Sequence, residues 1–203
     1  FISGEFVGLV KSGDYVFMGG YNDVAGAQTL GSIDVSDPTN PTLADMLDDP
    51  AGEYPQQMDV IGDNLFYAAG GSAGETQHID ISDPTNMSQT DSVFIQGQAL
   101  AVDPDREWAF LDDSGDLQVW GILGNSGAGL SGDRTVTSSR NIGSLAFDPS
   151  TDTLYATEQE SGHITAIDVT TPQEPVPVGA GRPSESVYRD FVRDTRSEEH
   201  TSE

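Results

Sequence analysis

The stretch Ile33-Asp34-Val35-Ser36-Asp37-Pro38-Thr39-Asn40-Pro41 returns almost unchanged as Ile79-Asp80-Ile81-Ser82-Asp83-Pro84-Thr85-Asn86, and a looser copy stands at Ile167-Asp168-Val169-Thr170-Thr171-Pro172. A divergent copy, third in chain order, aligns Val119 with Ile33, so the spacings are 46, 40 and 48 residues. Around each copy the order is the same: a short apolar strand, a tight acidic turn (Gly13-Asp14, Gly62-Asp63, Asp103-Pro104-Asp105, Asp148-Pro149), an aromatic strand, a variable loop, the Ile-Asp-Val strand, a proline turn and a last strand. Short β-branched and aromatic runs punctuated by Gly, Asp and Pro predict an all-β chain. Four antiparallel strands per unit at a period of about 40–50 residues predict β-propeller blades. A solenoid is the alternative, since one repeat buries its faces only against its neighbours in either case.

The predicted blades cover 2–50, 51–97, 98–140 and 141–183, with a fifth beginning at 184–195. Four blades present predict a piece of a larger ring. The last eight residues, Arg196 to Glu203, resemble the translation of a sequencing-library adapter, so 196–203 is expected to be a non-native tail.

The combination Gly-Asp-x-[Val/Leu]-[Phe/Tyr] followed by Ile-Asp-[Val/Ile]-Ser-Asp-Pro-Thr-Asn resembles the LVIVD repeat family. The match covers units one and two well and unit four partly; in unit three Trp120-Gly121-Ile122 departs from it. The resemblance implies a propeller in a cell-surface or secreted protein and carries over no catalytic residue.

Charge narrows the partners. The chain has 34 acidic against 8 basic residues, a net charge of −26. Such a surface repels nucleic acid and anionic lipid. The acids are dispersed along the chain, with one lysine, Lys11, which is the pattern of proteins that work in molar salt. No apolar run reaches the roughly 20 residues of a membrane span, and the absence of cysteine rules out disulfides and thiolate metal sites.

Chemistry-bearing motifs are few. Asp37-Pro38, Asp83-Pro84 and Pro172 read as turn makers, because Asp before Pro starts a turn and its carboxylate accepts backbone N–H groups. In a four-stranded meander the first and third hairpins share one end and the second hairpins the other. The variable loops Gly19 to Ser32, Gly70 to Gln77, Asp112 to Asp116 and Glu158 to His163 therefore cluster, and loops on a rigid scaffold are where binding concentrates. Tyr21, Asn22, Asp23, Glu75, Asp112, Asp113, Glu158 and Glu160 are the contact candidates. Asp112-Asp113-Ser114-Gly115-Asp116 lacks the alternating ligands and distal Glu of a calcium loop, so calcium is a weak expectation and no other cofactor is expected. His78 and His163 lack zinc-site spacing, and no Gly-x-Ser-x-Gly elbow occurs.

These features predict a non-catalytic interaction module, extracellular or at the cell surface, meeting a protein or glycan. The alternatives are a propeller hydrolase or lactonase with a divalent cation in its channel, and a structural envelope component.

Overall fold

The computed structural model describes residues 4–23, 25–48, 54–70, 75–93, 95, 97–122, 130–136, 142–159 and 162–181. The fifth-blade segment 184–195, the tail 196–203 and Glu160 lie outside them. Among the described residues there are strands and turns and no helix.

Four antiparallel sheets of four strands follow one another, each a simple up-and-down meander. Blade 1 holds β1 (Gly4–Ser12), β2 (Tyr15–Asn22), β3 (Ala27–Asp34) and β4 (Thr42–Asp48). Blade 2 holds β5 (Tyr54–Ile61), β6 (Asn64–Gly70), β7 (Thr76–Asp80) and β8 (Ser88–Val93). Blade 3 holds β9 (Leu100–Asp103), β10 (Trp108–Asp113), β11 (Asp116–Ile122) and β12 (Leu130–Val136). Blade 4 holds β13 (Ile142–Asp148), β14 (Thr153–Glu158), β15 (Ile164–Asp168) and β16 (Val176–Gly181). The first strands β1, β5, β9 and β13 neighbour one another in series, as inner strands around a propeller axis do.

The cores lie between blades. Phe17 and Leu30 of blade 1 pack with Met58, Leu65, Tyr67 and Ile79 of blade 2. Phe66, Ala68 and Ile61 of blade 2 pack with Leu100, Val102, Ala109 and Leu111 of blade 3. Phe110 and Val119 of blade 3 pack with Leu145, Phe147, Leu154 and Ile167 of blade 4. Alternate residues of one strand thus serve opposite interfaces, which is why these strands are apolar on both faces.

The repeated motif forms turns. Asp34 accepts the Ser36 N–H at 2.8 Å, Asp80 the Ser82 N–H at 2.8 Å and Asp168 the Thr170 N–H at 2.9 Å. One step on, Asp37 takes Thr39 N–H at 3.0 Å and Asp83 takes Thr85 N–H at 3.0 Å. Those bonds from Ser or Thr hold all five carboxyls below the ordinary carboxylate range. Pro38 is exposed, Pro84 half-buried and Pro172 buried.

The first hairpins come in two kinds. Blades 1 and 2 use two-residue turns with Gly13 and Gly62 at φ 53° and 55°. Blades 3 and 4 use longer Pro turns that end on Glu107 and Asp152, at φ 57° and 50°. The left-handed residue is retained while its identity changes.

One expectation fails: the first variable loop is short. Strands β2 and β3 pair from Tyr15↔Asp34 to Asn22↔Ala27, so Tyr21, Asn22 and most of Gly19 to Ser32 belong to strands. The glycines there reflect close approach. A Cβ on Gly20 would strike the Glu5 carbonyl oxygen, and one on Gly19 would run into the Pro55 ring.

Candidate functional site

Each inner strand starts at the end of the arc that carries the second hairpins, so strand starts and variable loops converge there. Blades 1, 2 and 4 mark this place with a break in pairing at Phe6/Gly8, Pro55/Gln57 and Ile142/Ser144. A bulge twists the strand and turns a side chain out of the ladder.

Gln57 stands directly after the break in β5 and stays paired with Ala68. Its Nε2 donates to the Leu145 carbonyl at 2.6 Å, and its Oε1 accepts from Leu100 N and Leu145 N, both at 3.3 Å. Ser144 Oγ lies 3.4 Å from the same oxygen. One amide from blade 2 therefore satisfies inner-strand backbone of blades 3 and 4. Asp59, two residues on, accepts Val102 N at 3.1 Å.

Beside this link, Gln159 of the blade 4 hairpin donates to Gln98 Oε1 at 3.1 Å. The segment before β9 presses on the end of β10: a Cβ on Gly97 would fall on the Asp112 carbonyl oxygen. Asp112 is 6% exposed and accepts Gly115 N at 3.0 Å. Burial pushes its carboxyl up to about 6; the N–H groups of Gly115, Gln98 and Ile142 pull it down, and Asp113 pushes it up.

A second carboxyl, Glu158, is 8% exposed and sits 3.6 Å from Nδ1 of His163, which is partly exposed across the same hairpin. Thr165 donates to Glu158 Oε1 at 3.1 Å. The backbone closes the unit, with Glu158 N on the His163 carbonyl at 2.9 Å.

The sequence candidates therefore separate. Asn22, Asp112 and Glu158 are buried and hydrogen-bonded. Asn22 Oδ1 accepts Ala25 N at 3.3 Å and organises its turn. Tyr21 is half-buried in β2, Asp23 is exposed, and Asp113 is half-buried. Glu75 is half-buried and bonds Gln77 Nε2 at 3.1 Å. His78, 2% exposed, stacks on Phe66 at 4.6 Å and reaches Asn64 Oδ1 at 2.7 Å. Burial holds its ring below the ordinary histidine range, against the pull of Asp91 and Asp80. Gln57, Gln98 and Gln159 carry no motif, and only the packing of blades 2, 3 and 4 reveals them.

Among the described residues no three His, Asp or Glu side chains converge as a cation site. Asp112 and Glu158 are instead engaged with backbone N–H, hydroxyl and imidazole groups.

Asp112 carries a prediction. Because the folded state raises its affinity for a proton from the usual 3.8 to about 6, the associated stability is complete below about pH 4 and is lost as pH rises through about 6. Measured by urea unfolding in molar salt, wild type should gain about 2 kcal/mol on Asp112→Asn between about pH 7 and 4. A constant gap between the two proteins would show that the carboxyl is not shifted.

The chain is thus built of β-propeller blades, with a polar cluster where the inner strands begin. Solved structures agree on the fold. A Bacteroides uniformis protein provisionally assigned as a 6-phosphogluconolactonase matches 89% of this chain with TM-score 0.71 at 14% identity. The periplasmic gluconolactonase of Pseudomonas aeruginosa matches 90% with TM-score 0.72 at 13% identity. A nidogen–laminin complex matches 85% with TM-score 0.61 at 12% identity. The chain spans 59%, 58% and 64% of the respective matched chains. No family profile matches it, and none of the curated proteins does.

Proposed function

We propose that the chain is the site-bearing arc of a lactone-hydrolysing propeller from a salt-adapted microbe, working outside the cytoplasm. The observation that carries this reading is the superposition of 86–90% of the chain on three gluconolactonase-type structures. It favours the hydrolase over the interaction module that the sequence alone put first. The periplasmic Pseudomonas neighbour supports export, and the dispersed acids support salt adaptation. Kinship with LVIVD repeats belongs to the same proposal and rests on the motif residues.

Lactone opening needs a base to take a proton from water as it adds to the carbonyl, and an acid to return that proton to the departing ring oxygen. The Glu158–His163 pair supplies both halves. The imidazole exchanges the proton while the carboxylate beside Nδ1 orients the ring. The buried setting strengthens that support. The Gln98–Gln159 amides, at the same end, offer donors and acceptors of the kind that orient a polyhydroxy substrate.

The test is proton release from glucono-δ-lactone and its 6-phosphate in molar NaCl, followed by pH-stat. Turnover above spontaneous ring opening is expected, with kcat falling about 100-fold or more in His163→Gln and Glu158→Gln. Ring opening at the uncatalysed rate would sink the reading.

The nidogen–laminin neighbour favours a second reading, a surface module that binds protein or glycan through the same loop end. Inactivity on lactones together with saturable retention on a glycan or protein array would select it.

A further inference from the structure

Segments of two blades meet on the carboxyl of Asp112, at the end where the polar cluster is assembled. Gly115 N donates to its Oδ1 at 3.0 Å within the second hairpin of blade 3. The N–H groups of Gln98, just before β9, and of Ile142, the first residue of β13, bond to the same carboxyl. The main chain reinforces the joint, since Asp112 N donates to the Ala99 carbonyl at 3.0 Å. Both anchored segments carry cluster side chains. Gln98 is the acceptor of Gln159, and Ile142 leads into Ser144 beside Gln57. Asp112 is buried and Gln98 exposed, so the group that fixes the backbone lies inside and the side chain it positions lies outside.

Such a joint has two states. A carboxylate only accepts and offers about four lone-pair directions, enough for three N–H groups. A protonated carboxyl turns one oxygen into an O–H donor, which then faces N–H groups where an acceptor is needed. Gly97 to Ala99 and Ile142 to Ser144, the segments packed on it, bring no titratable side chain. Among the described residues the charge that acts on Asp112 is that of Asp113, which pairs with Asp116 across the turn. Glu158 and His163 of the blade 4 hairpin are engaged with each other. Burial and a neighbouring carboxylate both favour uptake of the proton.

We infer that Asp112 is a proton-operated positioning residue for the polar cluster: as a carboxylate it holds the starts of β9 and β13 so that Gln98 meets Gln159, and on protonation it releases them. The joint stands on the hydrogen bonds, while its effect on substrate rests on the lactone reading above.

Two measurements test these separately. In the isotope-labelled full chain in molar NaCl, the amide resonances of Gln98, Gly115 and Ile142 should shift together with one midpoint at about pH 6, and should stand still in Asp112→Asn. Amides that titrate independently, or that titrate alike in the variant, overturn the joint. With glucono-δ-lactone, KM of wild type should rise about 10-fold from about pH 7 to about pH 5, as the ionised fraction falls to about a tenth. Asp112→Asn, which copies the protonated carboxyl, should show the high KM at both pH values, the change falling on KM and not on kcat, which follows the Glu158–His163 pair. Lactone turnover with the same KM in both proteins at each pH overturns the coupling and spares the lactone reading. Amides that titrate together in a chain that opens no lactone would support the joint and sink the lactone reading.

Discussion

Arg106→Leu is expected to cost about 3–5 kcal/mol, a large share of the roughly 5–15 kcal/mol that holds a domain folded. Arg106 leaves the first hairpin of blade 3 and reaches into blade 4. Its Nε meets Asp103 at 2.5 Å, Nη2 meets Asp152 at 2.9 Å, and Nη1 donates to the carbonyls of Val169 and Thr170 at 3.1 and 3.0 Å. The guanidinium carbon also stands 5.9 Å from the Phe147 ring centroid. Asp103 is 1% exposed, so removing the cation strands a buried carboxylate whose other bonds, among the described residues, come from the N–H groups of Asp105 and Arg106. The drop in midpoint, read by thermal circular dichroism in molar salt, should be about 10 °C or more for a chain of this length. The double variant Arg106→Leu, Asp103→Asn should recover part of it, because the unpaired charge goes with the arginine. Arg106→Lys should fall between, keeping the charge and losing the fork. A single variant that melts with wild type would show that the staple contributes nothing.

That staple could not be read from the sequence, although the turn that carries it could. Asp103-Pro104 announces a hairpin, and nothing in the letters says that Arg106 of unit three meets Val169 of unit four. Repeats reveal what is done in every unit: the Ile-Asp-Val strand, the Asx turns at Asp34, Asp80 and Asp168, and the left-handed turn residue. Unique joints between units leave no period. Gln57 is the clearest case, because a neutral amide acquires its role only from the backbone of β9 and β13 that its inner-strand position brings within reach. Gly19-Gly20 misled for the opposite reason. Glycine pairs punctuate loops in sequence, and here they sit inside paired strands because Pro55 and the Glu5 carbonyl leave no room for a Cβ. The Glu158–His163 pairing escaped too, since four residues stand between its members and only the hairpin brings them together.

Removing salt is expected to unfold the chain. Against a net charge of −26 the described residues provide few compensating cations, and the chain holds only 8 Lys and Arg in all. Inter-blade apolar cores must therefore hold together a shell of carboxylates whose mutual repulsion is governed by the solvent. At about 1 M salt the Debye length is about 3 Å and neighbouring carboxylates hardly interact; at about 10 mM it is about 30 Å, and the whole surface repels as one body. Self-repulsion of this kind destabilises the compact state, and the margin it erodes is only about 5–15 kcal/mol. The β-sheet signal in circular dichroism should collapse cooperatively as NaCl is dialysed from molar to about 10 mM. Screening has a further signature: neutralising exposed acids of the first hairpins, at the end opposite the polar cluster, with Asp14→Asn, Asp63→Asn and Asp105→Asn together, should move the transition to lower salt while leaving high-salt stability unchanged. A structure that persists at about 10 mM NaCl would mean that the blade interfaces outweigh the repulsion unaided, and would remove salt adaptation from the proposal while leaving the propeller untouched.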